Sequence, residues 1–131
     1  MDIIVSELRI GNLVLYSGNG TIFIVDTISD FWLNVHNEIE ETGIEIDNFE
    51  PVILTQNWMI EFGLFEMGIN KDKGYKDIGN GFSAYPLQSD KSKYGLYYLD
   101  EWTGITILFV HQLQNICFCL TGKELIHINK K

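Results

Sequence analysis

The chain has 131 residues, 46% of them hydrophobic and 21% charged, with eighteen acids against nine bases and a formal net charge of −9. That size fits one domain with a sizeable core, and the composition excludes a disordered chain, whose mark is low hydrophobicity with high charge. No apolar run approaches the roughly 18 residues that span a bilayer. Met1–Arg9 carries Asp2 and Glu7 but no basic n-region, so no signal peptide is expected.

The N-terminal third reads as β. Ser17-Gly18-Asn19-Gly20 separates Leu13–Tyr16 from Thr21–Val25, and its Asn-Gly pair supplies the positive φ angles of a tight hairpin. Both apolar runs are continuous, which predicts strands covered on both faces. Phe31, Leu33 and Val35 then alternate with Trp32, Asn34 and His36, and Ile44 and Ile46 alternate with Glu45 and Asp47, the period of strands with one wet side. This spacing predicts a small bent antiparallel sheet, barrel or half-barrel, a pattern that resembles SH3-like barrels.

Pro51 ends that region. Thr55 is placed to cap a short helix, Leu54 and Met59 to staple it, and Trp58, Met59 and Phe62 to form its apolar stripe. Gly63 fits the left-handed position just past the helix, with Leu64 reaching back to Met59. Phe82–Leu87 and Tyr94–Leu99 read as strands around the polar loop Gln88–Lys93. Glu101–Gly104 reads as a turn into the apolar run Ile105–Val110. A second helix is predicted over His111–Thr121, with Leu113, Ile116, Cys117 and Leu120 on one buried stripe. Gln112, Asn115 and Cys119 fall towards its other side, and Gly122 closes it. Glu124–Lys131 is expected to be a short strand or a tail. The expected class is α+β: a bent antiparallel sheet or SH3-like half-barrel, a helix, further antiparallel strands and a C-terminal helix. It forms a single domain over 1–131, β-rich over 1–50 and helix–strands–helix over 51–131.

Charge is uneven along the chain. Residues 1–65 hold one base, Arg9, and eleven acids, whereas residues 66–131 hold eight lysines and seven acids. So acidic a half repels phosphates, and duplex nucleic acid is not an expected partner. An acidic face attracts a basic partner or simply keeps a small protein soluble. Lys71, Lys73, Lys76, Lys91 and Lys93 lie in a glycine- and serine-bearing stretch that suits either a small anion or plain solvation.

Groups that carry chemistry are scattered. Cys117 and Cys119 stand about 200° apart around a helix axis and cannot share one ion. With His36, His111 and His127 dispersed, no metal and no cofactor are expected. No Gly-x-Ser-x-Gly elbow occurs, and a Cys–His pair (Cys117 or Cys119 with His111 or His127) needs the fold to assemble it. Gly18-Asn19-Gly20 and Gly79-Asn80-Gly81 read as hairpin glycines rather than phosphate loops. Glu38, Glu40 and Glu41 form a solvated loop. Asp100-Glu101 beside Trp102 reads as a solvated turn, or as an acid–base pair if the indole buries a carboxyl. No catalytic residue is assigned, and Cys117 reads as a small core residue.

Aromatic residues are in surplus: Trp32, Trp58, Trp102, Tyr75, Tyr85, Tyr94, Tyr97 and Tyr98. Such rings suit binding surfaces because they bury much area and keep a polar tip. Tyr94, Tyr97, Tyr98, Lys91, Lys93 and Trp102 form the candidate ligand patch, where rings would stack on a base and a cation would hold its phosphate. The competing reading places Tyr97 in the core and Tyr98 at the edge of the domain.

Leu8-Arg9-Ile10-Gly11-Asn12-Leu13-Val14, then Leu54-Thr55-Gln56-Asn57-Trp58 with Phe62-Gly63, then Val110-His111-Gln112-Leu113-Gln114-Asn115 with Leu120-Thr121-Gly122-Lys123-Glu124-Leu125, occur in this order. Together they resemble a family of small uncharacterised proteins from bacteriophages and mobile elements of Bacteroidota-type bacteria. Cys117, Cys119 and the stretch near Lys71–Gly81 depart from that pattern. The resemblance implies a phage-type gene expressed in a bacterial cytoplasm and assigns no catalytic residue. Two cysteines in an unexported chain agree with that reducing compartment. The expected function is non-enzymatic: an accessory protein that binds a host component stoichiometrically. Alternatives are a binder that sequesters a nucleotide or similar anion, a virion or assembly component, and an enzyme using Asp100, Glu101 or a Cys–His pair. A homodimer is expected only as the commonest soluble assembly, and no membrane partner is expected.

Overall fold

The computed structural model describes residues 3, 5–65 and 74–125. It is α+β, with two open antiparallel sheets that do not close into barrels. The chain divides into two compact units, Met1–Ile53 with Phe109–Asn115, and Leu54–Leu108 with Ile116–Lys131. Residues 109–115 thus return to the first unit.

The first unit contains β1 (Leu13–Tyr16), β2 (Ile22–Ile28), β3 (Trp32–His36), β4 (Glu41–Glu45) and β5 (Phe49–Pro51), in the order β4-β3-β2-β1-β5. Alternation along β3 buries Leu33 and Val35 and exposes Trp32 and Asn34. Val14, Phe23, Val25, Leu33, Val35, Ile46 and Phe49 meet with Ile3 in one core on that face. The continuous apolar runs resolve differently in the two strands. β1 is covered on both sides, with Leu13 and Val14 buried, while β2 buries Phe23 and Val25 and leaves Ile22 and Ile24 half-exposed. After β4, a 3₁₀ turn (Ile46–Asn48) carries the chain to β5, which pairs with β1. Its three residues are too few to show a period in the sequence.

The second unit opens with α1 (Gln56–Glu61), whose ends form as the residues dictate. Thr55 Oγ1 accepts from Trp58 N, Gly63 has φ 77°, and Leu64 N donates to Met59 O while Gly63 N donates to Ile60 O. Those last two bonds are the paired closure of a Schellman motif. Then come β6 (Asp77–Gly79), β7 (Phe82–Pro86), β8 (Tyr94–Tyr98) and β9 (Glu101–Ile107), in the order β6-β7-β8-β9. α2 (Val110–Thr121) begins in the first unit and ends in the second, and Gly122 caps it with φ 73° and a bond from its N–H to Phe118 O. The part of the expected C-terminal strand or tail beyond residue 125 lies outside the described residues, as do Lys71 and Lys73.

Two turns correct the sequence reading. At Ser17–Gly20 only Gly20 has positive φ, so Asn19-Gly20 closes a longer loop and Asn19 Oδ1 instead accepts from Thr21 N. The second turn lies at Leu99-Asp100, not at Glu101–Gly104, because Glu101 pairs with Tyr98 and Trp102 with Tyr97 inside the sheet. Leu99 and Asp100 have φ 48° and 70°, the backbone of the Asn80-Gly81 turn (φ 55° and 87°) without its favoured residues. Glycine and asparagine mark such turns because they tolerate positive φ, and leucine gave no such signal. Replacing Leu99→Asn together with Asp100→Gly is expected to stabilise the protein by about 0.5–1 kcal/mol, read as a higher urea midpoint at unchanged slope.

Candidate functional site

The six residues of the predicted ligand patch do not converge. Side chains alternate along β8, so Tyr94, Leu96 and Tyr98 project to one face and Gly95 and Tyr97 to the other. Tyr94 is buried, and its hydroxyl lies 2.9 Å from that of Tyr75. Burial first, and then that hydrogen bond, push its phenol above the usual range. Lys91 and Lys93 are exposed in the loop before β8, where Lys93 Nζ lies 3.9 Å from Asp90 Oδ2. Bonds from the Ser92 hydroxyl and N–H hold the Asp90 carboxyl below its ordinary range. Four tyrosines form one ladder of edge-on contacts: Tyr94–Tyr75 at 5.8 Å, Tyr75–Tyr85 at 5.9 Å and Tyr85–Tyr97 at 5.3 Å. Much of the aromatic surplus is therefore packing.

What the fold does bring together is Tyr97 and Trp102. They face each other across β8 and β9 and, with Leu87, Gln88 and Ser89, line an open cavity of about 320 Å³. Trp102 lies over Gly95, where a Cβ would stand 2.5 Å from Leu87 Cδ2 and 3.0 Å from the indole nitrogen. That nitrogen donates to Ile105 O at 3.2 Å, fixing a ring that is 54% exposed. A second open cavity, also about 320 Å³, is walled by Asn80, Cys117, Thr121 and Lys123 among others and holds none of the six ligand-patch residues.

The first unit carries a surface that the sequence reading did not single out. β3 begins at Trp32, so Phe31 belongs to the turn before it and is 73% exposed, not part of the buried alternation with Leu33 and Val35. Trp32 is 49% exposed on the outer face, paired across to Glu45 on β4. Asn34 pairs with Gly43, and its amide oxygen lies 2.8 Å from where a Gly43 Cβ would be. His36 pairs with Glu41, and its Nδ1 is 2.6 Å from Asp26 Oδ1. The available signal was two consecutive aromatic residues after Ser29-Asp30, which places one of them at a turn.

Also missed is a buried polar cluster where the first helical turns of α2 meet the loop and turn that precede β1. Asn12 is fully buried; its Oδ1 accepts from Arg9 N, and its Nδ2 donates to Asn115 Oδ1 at 2.8 Å and Gln114 Oε1 at 3.4 Å. Gln114 Oε1 also accepts from Leu13 N, while Gln114 Nε2 donates to Gly11 O. Asn115 Nδ2 donates to Glu7 O at 2.7 Å, and Arg9 Nε donates to Asn115 Oδ1 at 3.1 Å. His111 Nε2 lies 2.9 Å from Glu7 Oε1, and its buried Nδ1 has no hydrogen-bond partner. This pair has the composition of an acid–base dyad, but the His111 ring is 1% exposed and stacks on Phe109, out of reach of a substrate.

The remaining reactive groups stay apart. Cys117 is buried and Cys119 exposed on α2, and His127 lies outside the described residues. Burial pushes the Cys117 thiol up to about 12. Asp100 and Glu101 are exposed, and the Trp102 nitrogen bonds to Ile105 rather than to them. Among the described residues no three His, Cys, Asp or Glu side chains group around a metal-sized space, and no helix is long and apolar enough to cross a membrane. The chain matches no protein-family model, no curated protein and no solved structure.

Two outcomes follow from these placements. A thiol reagent at pH 8 is expected to label Cys119 quickly and Cys117 only on unfolding, because a thiol held near 12 carries almost no thiolate there; equal labelling of both contradicts it. Asn12→Ala is expected to cost about 2 kcal/mol or more in denaturant unfolding, since it strands buried donors and acceptors at Arg9, Gln114 and Asn115.

Proposed function

We propose that this chain is a non-enzymatic accessory protein of the phage and mobile-element kind that acts by stoichiometric binding to a component of a bacterial host cell. The observation that carries the reading is the placement of Phe31 and Trp32, large rings held out in solvent on an acidic unit. Exposed aromatic residues cost solubility and are the side chains that dominate binding energy when a partner covers them. Electrostatic attraction by the acids around them would set the rate and selectivity of encounter. The order of motifs that resembles phage and mobile-element proteins supports the host setting. The test is affinity capture from bacterial lysate at low and high salt, followed by titration of the purified component. One component retained more strongly at low salt, with a fixed binding ratio in calorimetry, is the expected result. Background proteins alone at both salts, or continuing turnover of an added substrate, contradicts it.

The Tyr97–Trp102 cavity favours a second reading, a small-ligand binder. Calorimetric heat with a nucleotide or anion panel, lost in Trp102→Ala, supports it; no heat with any member removes it. The exposed edge strand β9 favours the assembly reading, which predicts self-association in light scattering.

A further inference from the structure

We infer that the outer face of β3 and β4, with the Phe31–Trp32 turn at its end, is the docking surface, and that its occupant is a Lys/Arg-rich protein segment. The inference rests on the binding reading above and deepens it by naming the surface and the chemistry of the partner.

The register of the sheet builds this surface row by row. At one end Trp32 stands opposite Glu45, with Asp30 and Phe31 in the adjoining turn. The middle row is flat, because Asn34 lies over Gly43 and donates sideways to Thr27 Oγ1 at 2.7 Å. The far row holds His36 between Asp26 and Glu41. β4 is the edge of its sheet, so nothing in the sheet borders the face on that side. The titratable groups on it by register or contact are Asp26, Glu41, Glu45 and His36, with Asp30 in the turn at one end and Glu38 and Glu40 in the turn at the other. The only lysine or arginine in Met1–Ile53 and Phe109–Asn115 is Arg9, whose Nε is bonded to Asn115.

Charge complementarity selects the occupant. A phosphate backbone is repelled by these carboxylates, and a second copy of the same face meets its own charge. An arginine or lysine is attracted twice, by the indole face of Trp32 and by the carboxylates beside it. Guanidinium suits this setting best, because it stacks flat on a ring while its fork reaches a carboxylate. Phe31 supplies the apolar contact that fixes position.

The experiment titrates the full chain with a short peptide of alternating arginine and alanine and follows the tryptophan indole N–H signals by NMR. A peptide with glutamine at each arginine position is the control. The inference predicts a saturable shift at Trp32 with far smaller shifts at Trp58 and Trp102, and no response to the glutamine peptide. Trp32→Ala is expected to weaken binding by about tenfold or more and Phe31→Ala or Glu45→Gln by about threefold. Asp100→Asn, an equal change of charge in the second unit, leaves affinity unchanged. Unmoved Trp58 and Trp102 signals in each variant establish that it is folded. Equal weakening by Asp100→Asn, or a shift at Trp102 instead of Trp32, overturns the inference. A host component whose affinity is indifferent to Trp32→Ala and Glu45→Gln overturns this surface while leaving the binding reading standing. Peptide binding at Trp32 with no host component retained supports the surface and removes that reading.

Discussion

A buried amide cluster joins the two pieces of chain that make the first unit. Asn12 and Gln114 lie 102 positions apart in sequence, yet each completes the hydrogen bonding of the other's neighbourhood. The turn that leads into β1 needs partners for Leu13 N and Gly11 O, and a single glutamine side chain supplies both. Such bonds are strong constraints because each buried amide left unpaired costs more than the bond itself contributes when made. The start of α2 is therefore held by polar groups on its buried side, and the unit closes around a sheet whose own core is purely apolar.

That arrangement gives a physical account of why Arg9-Ile10-Gly11-Asn12 and His111-Gln112-Leu113-Gln114-Asn115 occur together. They are the two halves of one hydrogen-bond network, and Thr55 with Gly63 are the two ends of one short helix. These segments thus serve folding. Surfaces open to other molecules lie on the faces that the sheets leave in solvent and in the open cavities. There the first unit offers rings set among carboxylates, and the second offers a tyrosine and a tryptophan beside an open cavity.

Legibility in the sequence followed the strength of the local signal. The α1 caps, the α2 stripe through Leu113 and Cys117, and the alternation of β3 were readable because capping and periodicity act over a few residues. β5 and β6 were not, being three residues each. The turn at Leu99-Asp100 was hidden because its residues contradict its backbone. The buried His111 and Gln114 were unreadable for another reason: polar residues on a helix suggest solvent unless their distant partners are known. The candidate patch failed to assemble because three tyrosines close in sequence alternate across a strand, which separates Tyr97 from Tyr94 and Tyr98.

Contact through the outer face of the first sheet is the claim on which the functional account stands. Hydrogen–deuterium exchange of the full chain, alone and saturated with its captured partner, tests it most directly. The account predicts slowed exchange confined to the Ser29–Trp32 turn and the backbone of β4, with β8 and β9 unchanged. Protection restricted to β8, β9 or the loop before them, with the first sheet exchanging as freely as before, would contradict it.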